Sequence, residues 1–329
     1  FTTDRKTKEK TNSAYLQYLW TFDIGTMPGN FRAGVRYEKT KVTSSALVPI
    51  ATKIQWAGTN EFNVLFADPD FTTLKGDYDY FLPNFDFNLE FIDNLIGRVS
   101  YSHTIGRPGW GDIQGGQTLS SLIRIDGGTG QQGDPGLKPL ESKNIDLSLE
   151  WYYGTGSYLS AGYFHKNVEN YVGITQITST PFDLPHPGQG EWYNECAAAT
   201  GGTDSQAIRQ CIFDTYGDDP AVTITGVGAN GFTTGFIDGR QGADPASTFD
   251  IQVPANQDKV KIDGWELAWQ HVFGDSGFGL IANYTFVDSD AGYDDASLDS
   301  QFAIEGLSNS ANAVVFWENY GWLVRAAYN

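Results

Sequence analysis

The run Ile262-Asp263-Gly264-Trp265-Glu266-Leu267-Ala268-Trp269-Gln270-His271-Val272-Phe273 alternates with a period of two. One parity is Asp263, Trp265, Leu267, Trp269, His271 and Phe273; the other is Ile262, Gly264, Glu266, Ala268, Gln270 and Val272. Successive side chains of a strand point to opposite faces, so one face is greasy and aromatic and the other mixed. Asn144 to Tyr153 repeats the split: Ile145, Leu147, Leu149, Trp151 and Tyr153 oppose Asn144, Asp146, Ser148, Glu150 and Tyr152. Phe31, Ala33, Val35 and Tyr37 oppose Arg32, Gly34, Arg36 and Glu38 in the same way.

These segments reach about ten residues, longer than the five or six usual in soluble sheets. Ten are expected: 12–24, 31–43, 77–91, 95–105, 142–153, 158–174, 258–273, 278–288, 311–318 and 322–329. Their links alternate in length. Tight turns are expected near Thr26 to Asn30, at Asp93-Asn94, Gly154 to Ser157, Gly274 to Gly277 and Asn319 to Gly321, each rich in Gly, Asn, Asp or Pro. Long links are expected at 44–76, 106–141, 176–256 and 289–309. In an up-and-down sheet this puts every tight turn at one end and every large loop at the other, the asymmetry of outer-membrane barrels. A tilted strand crosses lipid in roughly 9 to 11 residues, with alternate side chains in hydrocarbon. The fold expected is all-β, an antiparallel transmembrane β-barrel with long extracellular loops. The lipid-facing set includes Trp265, Leu267, Trp269, Leu147, Leu149 and Trp151; the lumen set includes Arg98, Glu150, Lys166 and Glu266. The competing architecture is a soluble sandwich whose greasy faces pack on each other.

The composition agrees. The 329 residues carry a net charge of −19, which argues against a phosphate-backbone binder, so nucleic acid is not an expected partner. With 40% hydrophobic and 14% aromatic residues the chain is no disordered acidic tail. No stretch approaches the roughly 18 apolar residues of a membrane helix, and the start, FTTDRKTKEK, lacks the apolar core of a signal peptide.

Cys196 and Cys211 both fall in the longest link, around Ser205 to Gln210, which reads as a turn or two of helix. They make a disulfide in an exported loop, or two free thiols in a reducing compartment. A two-Cys zinc site has no partners, since His103, His165, His186 and His271 are scattered, so no metal is expected. Trp192, Tyr193 and Tyr216, and Trp110 beside Asp112, are candidate sugar-stacking residues; the alternative is that they pack loops together. Asp288, Asp290, Asp294, Asp295 and Asp299 form an acidic run that reads as a solvated loop before it reads as a calcium site. No nucleophile elbow, phosphate loop or His-Glu-x-x-His helix occurs, so no enzyme and no cofactor is expected.

Five strings, in order, carry a resemblance. Leu82-Pro83-Asn84 opens a strand that turns at Asp93-Asn94 into Leu95-Ile96-Gly97-Arg98-Val99-Ser100-Tyr101-Ser102 and Gly106-Arg107-Pro108. Gly133-Asp134-Pro135-Gly136-Leu137-Lys138-Pro139 leads through Ser142, Asn144 and Asp146 to Glu150-Trp151-Tyr152. Ser157 to Ala161 with Phe164-His165-Lys166, and Asp263-Gly264-Trp265-Glu266, complete the series. This resembles the C-terminal barrel of TonB-dependent outer-membrane receptors, particularly the carbohydrate-scavenging receptors of proteobacteria, with Asp134 where the family usually has Asn. The resemblance covers most of 12–174 and 257–329 and leaves loop 176–256 without a counterpart.

The resemblance implies a 22-stranded barrel with an N-terminal plug and a TonB-contacting motif, of which this chain would be the C-terminal portion. It implies uptake across the bacterial outer membrane, coupled through TonB, of a scarce ligand such as an oligosaccharide, a ferric siderophore, haem or cobalamin. Oligosaccharide is favoured by the type of the strings and the loop Trp and Tyr residues; for haem, only His186 lies in a long loop. Membrane lipid, TonB and a surface lipoprotein are the expected partners. A passive porin and a soluble secreted sugar-binding β-sandwich are the alternatives.

Overall fold

The computed structural model describes residues 4–202, 204–257, 259–290 and 308–329. Four strands open the chain: β1 (Asp4–Ile24), β2 (Met27–Gly58), β3 (Glu61–Ile92) and β4 (Leu95–Gly106). The short β5 (Gln117–Leu119), β6 (Leu122–Ile123) and β7 (Gly128–Gln132) precede β8 (Leu140–Gly154) and β9 (Ser157–Glu169). Then come β10 (Val172–Ser179), helices α1 (Glu191–Thr200) and α2 (Ser205–Tyr216), β11 (Val222–Val227), β12 (Thr233–Asp238) and β13 (Phe249–Asn256). The chain closes with β14 (Val260–Val272), β15 (Phe278–Ser289), β16 (Ser310–Asn319) and β17 (Trp322–Tyr328).

Ten strands form one antiparallel ladder in the order β1-β2-β3-β4-β8-β9-β14-β15-β16-β17. These are the ten segments the alternation gives, and among the described residues the sheet is open: β1 pairs only with β2 and β17 only with β16. Tight turns join one end. Asn94 (φ 67°) and Gly156 (φ 70°) take the left-handed conformation that two-residue hairpins demand, which is why Asn and Gly mark them.

The two faces differ as the alternation requires. Trp265, Leu267 and Trp269 stand in register with Tyr163, Ala161 and Leu159 on one side and with Phe286, Tyr284 and Ala282 on the other. Leu147, Leu149 and Trp151 continue this face across β8. No second sheet covers it among the described residues: Trp265 is 52% exposed and Leu267 47%. A sandwich would have buried them. Toward the turns Trp151, Tyr153, Trp269 and His271 cluster, and the Tyr153 hydroxyl accepts from Trp269 Nε1 at 2.9 Å. Such rings, apolar in body and polar at the tip, suit a membrane interface.

The expected link 44–76 is corrected: β2 and β3 run 32 residues each and pair to a tip at Thr59-Asn60. Prolines hid this. Pro49 and Pro69 lie at one irregularity, where the register passes from Val48↔Asp70 to Ile50↔Ala67. The missing N–H groups therefore fall where the ladder is already broken. About ten residues cross a bilayer, so roughly twenty residues of each strand rise beyond the apolar band.

Residues 176–256, expected as one large loop, fold onto that extension. Phe249, Ile251 and Val253 of β13, Trp192 and Cys196 of α1, and Ile208, Ile212 and Phe213 of α2 join Ile54, Trp56, Phe62 and Val64 in one buried core. Cys196 and Cys211 are disulfide-bonded with Cα atoms 5.7 Å apart, tying α1 to α2. The helix read at Ser205 to Gln210 extends to Tyr216, its N-terminus capped by Asp204, which accepts from Gln206 N at 2.9 Å. Of the acidic run, Asp294, Asp295 and Asp299 lie outside the described residues; Asp290 accepts from the Lys261 amide at 2.6 Å.

Candidate functional site

A second sheet, in the order β10-β13-β7-β5, stands inside the extension. Along β13, Phe249, Ile251 and Val253 are buried against the β2–β3 wall, so Asp250, Gln252 and Pro254 face the other way. The parallel pairing of β13 with β7 sets Asp250 beside Thr129 and Gln252 beside Gln131. The antiparallel pairing of β13 with β10 adds Gln176 beside Gln252 and Thr178 beside Asp250. Thr118 of β5 lies opposite Gln131. One period-two pattern thus produces an apolar back and a front of amides, hydroxyls and one carboxylate.

This front lines two adjoining cavities. The larger, about 390 Å³, is bounded by Thr118, Ser120, Thr129, Gln131, Gln176, Asp250 and Gln252. The other, about 180 Å³, shares Gln131 and Gln252 and adds Arg5, Asp112, Gln114 and Gln132. Several members hold one another: Thr178 Oγ1 donates to Asp250 at 2.7 Å, and Arg5 donates to Gln114 Oε1 at 3.2 Å. The side-chain amides of Gln131, Gln176 and Gln252 make no hydrogen bond within the described residues and are exposed. Each offers two donors and one carbonyl acceptor.

The structure sorts the candidates read from the sequence. Asp112 lines the smaller cavity, while Trp110, 59% exposed, lies in the same loop outside its lining. Trp192, Tyr193 and Tyr216 stand elsewhere. Trp192 is 7% exposed, stacked on Tyr216 at 4.4 Å with the Arg240 guanidinium 3.6 Å from its ring centre. Its faces are occupied by protein, and a sugar platform needs an open face. Tyr193 leans on Trp56 at 5.8 Å. Trp192 thus packs the disulfide-braced hairpin, with Tyr193 and Tyr216 partly buried beside it.

His186 is fully buried against Phe62, with Nδ1 accepting from Gly188 N at 3.1 Å and Nε2 2.9 Å from the Arg124 carbonyl. Those partners fix the tautomer protonated at Nε2, and burial pulls the imidazole pKa below its ordinary value. Among the described residues no group of three or more His, Cys, Asp or Glu gathers as a metal site.

The residues assigned to the lumen do share the polar face of the long ladder. Arg98 donates to Glu150 at 3.0 Å and to Asn88 at 3.0 Å, beside a cavity of about 540 Å³ lined by Asn30, Arg32, Asp86 and Asp146 among others. Lys166 lies 5.3 Å from the Phe164 ring, and Glu266 stands opposite Gly162. Gln131, Gln176, Asp250 and Gln252 were missed in the sequence. The alternation PFDLPHPG to TFDIQVPANQ does carry Phe249, Ile251 and Val253, but such a short strand inside a long link is hidden until its apolar side finds a wall.

The family described as TonB dependent receptor-like, beta-barrel matches residues 1–329. No curated protein matches. Among solved structures, the siderophore receptor PirA from Pseudomonas aeruginosa is 10% identical with a TM-score of 0.39, over 94% of this chain and 46% of that one. PirA from Acinetobacter baumannii is 12% identical with a TM-score of 0.42, over 95% and 40%. The ferric-catecholate import receptor Fiu from K12 E. coli is 11% identical with a TM-score of 0.46, over 94% and 32%. The chain therefore spans less than half the length of these receptors. With the whole length matched by one family and the ladder, its two faces and its tall loops in place, the chain belongs to the TonB dependent receptor-like β-barrel family.

Proposed function

We propose that this chain supplies barrel wall and extracellular vestibule to an outer-membrane receptor that captures a neutral oligosaccharide and imports it with energy delivered through TonB. Its apolar face lies in acyl chains, and its polar face, with Arg98, Glu150, Lys166 and Glu266, lines the lumen.

The observation carrying the ligand class is the amide front. Gln131, Gln176 and Gln252 offer paired donors and acceptors with no partner among the described residues, next to Thr118, Ser120, Thr129 and Asp250. Sugar hydroxyls donate and accept at once, so neutral amides can bind them without burying a charge. Among the residues lining the two cavities the one cation is Arg5, with Asp112 and Asp250 against it. An anionic ferric complex would meet few positive charges there. Trp110, in the loop that carries Asp112, provides an exposed ring for a sugar face.

Calorimetric titration of the intact receptor with a panel of neutral oligosaccharides and with ferric tris-catecholate tests this reading. Binding of an oligosaccharide that Gln252→Ala weakens supports it. Binding of the catecholate complex alone, or saccharide binding indifferent to that substitution, overturns it.

A further inference from the structure

The sheet β10-β13-β7-β5 carries an order across its strands as well as along them. Gln176 pairs in register with Gln252, Gln252 with Gln131, and Gln131 with Thr118, so three side-chain amides and a hydroxyl stand in one row on the front. Adjacent strands lie about 4.8 Å apart, so the row repeats at that spacing and spans roughly 14 Å. Two residues along the strands, about 7 Å away, Thr178, Asp250 and Thr129 form a parallel row with Ser120 at its end. On the opposite side of the amides Ile174, 55% exposed, stands beside Pro254.

The two polar rows differ in what they leave open. In the second the groups satisfy each other: Thr178 Oγ1 donates to Asp250 at 2.7 Å, and the Ser120 and Thr129 hydroxyls lie 2.8 Å apart. Glutamines aligned across strands can pair into an amide ladder of their own. Here they do not: the side-chain amides of Gln131, Gln176 and Gln252 make no hydrogen bond among the described residues, and all three residues are exposed. No Lys, Arg or His of the described residues lines the larger cavity that both rows border.

We propose that the amide row is the track of an unbranched, equatorially linked pyranose chain of the β-1,4 type, laid across the strands with one ring per amide. The inference rests on the oligosaccharide reading proposed above and adds linkage and length to it. Equatorial bonds at opposite corners of each ring keep such a chain straight and advance it by a step close to the strand spacing. A chain joined through an axial bond curls and leaves a straight row within a few rings. Successive rings of the straight chain turn over and present alternate edges; an amide both donates and accepts, so it matches either edge. Ile174 and Pro254 give an apolar margin for ring C–H groups on one side, and the hydroxyl row gives a polar margin on the other. A uronate chain would set its carboxylates beside Asp250 with no cation lining that cavity, so the rings are neutral.

The intact receptor is titrated calorimetrically with β-1,4-linked gluco-, xylo- and manno-oligosaccharides of two to six rings, and with α-1,4-linked gluco-oligosaccharides of the same lengths. One β-1,4 series is expected to gain affinity about two- to tenfold per ring up to three or four rings, the worth of one further hydrogen bond each, and then to level off. The α-1,4 series should show no such gain. Gln176→Ala, at the end of the row, should weaken the four-ring ligand by about two- to tenfold and leave the two-ring ligand and the thermal melt unchanged. No binding in any β-1,4 series, equal affinity for the two linkages, no gain beyond two rings, or equal losses for the short and long ligands in the variant overturns the inference. If a saccharide still binds in a way that Gln252→Ala weakens, the oligosaccharide reading survives that outcome. Binding of ferric tris-catecholate with no saccharide overturns both.

Discussion

Gln131 of β7 and Gln252 of β13 are register partners on a parallel pair, so their amides stand side by side on one face and border both cavities. Neither amide has a partner among the described residues. The pair contributes little to stability, which leaves its hydrogen bonds for a ligand. Replacing both by alanine should weaken oligosaccharide binding by about 1 to 3 kcal/mol, at roughly 0.5 to 1.5 per hydrogen bond, and leave the melting temperature unchanged. Calorimetry beside a thermal melt separates the two effects.

The disulfide makes a local prediction. Cys196 and Cys211 are 15 residues apart in sequence, and closing a loop of that size is worth about 3 kcal/mol in the chain-entropy model. The double Cys→Ser variant should loosen α1 and α2 while the ten-stranded ladder stays folded. Limited proteolysis should then cut within 190–220 and spare the ladder, and hydrogen exchange should rise over the same span.

His186 gives a pH dependence of known sign. Burial lowers its folded pKa below the unfolded value of 6.5, so the unfolded state binds the proton more readily. Its contribution to stability is present above about pH 6.5 and is lost as pH falls toward and through the lower folded value. Hydrogen exchange of the amides of His186 and Ser247, which bond across to Pro245 and Leu184, should speed up below that pH after correction for intrinsic rates. In His186→Gln the acid sensitivity of this region should diminish.

Face assignment predicts opposite outcomes for neighbours. Leu267→Arg on the apolar face should destabilise the folded barrel in a bilayer by about 2 to 4 kcal/mol, the range for a charge near the midplane. Glu266→Arg, one residue away on the polar face, should change it by less than about 1 kcal/mol. Urea titration in phosphatidylcholine vesicles compares them.

The ladder was legible because lipid and water impose one rule on each strand: Trp265, Leu267 and Trp269 must share a side whatever the loops do. Above the bilayer that rule lapses. Val42, Ala46 and Val48 alternate with Lys41, Ser45 and Leu47 because the loops cover one side of β2, and the prolines at 49 and 69 mask the pattern unless the break in register is known. The binding front was hidden for a related reason. Gln252 gains its position through pairing with Gln176 and with Gln131, about 75 and 120 residues away, and nothing local announces those contacts. Trp192 is ambiguous in sequence for a similar reason, since an aromatic in a loop reads the same whether it meets a ligand or Arg240.

The most direct test of the account is a cysteine scan along Ile262 to Val272 in reconstituted vesicles. Cys196 and Cys211 are bonded to each other, so each introduced cysteine is the one free thiol among these 329 residues and can carry a nitroxide. The account predicts that labels at 265, 267 and 269 collide with oxygen dissolved in the acyl chains, while labels at 264, 266 and 268 collide with a water-soluble nickel chelate. Uniform access to the chelate, or an alternation of the opposite phase, would contradict it.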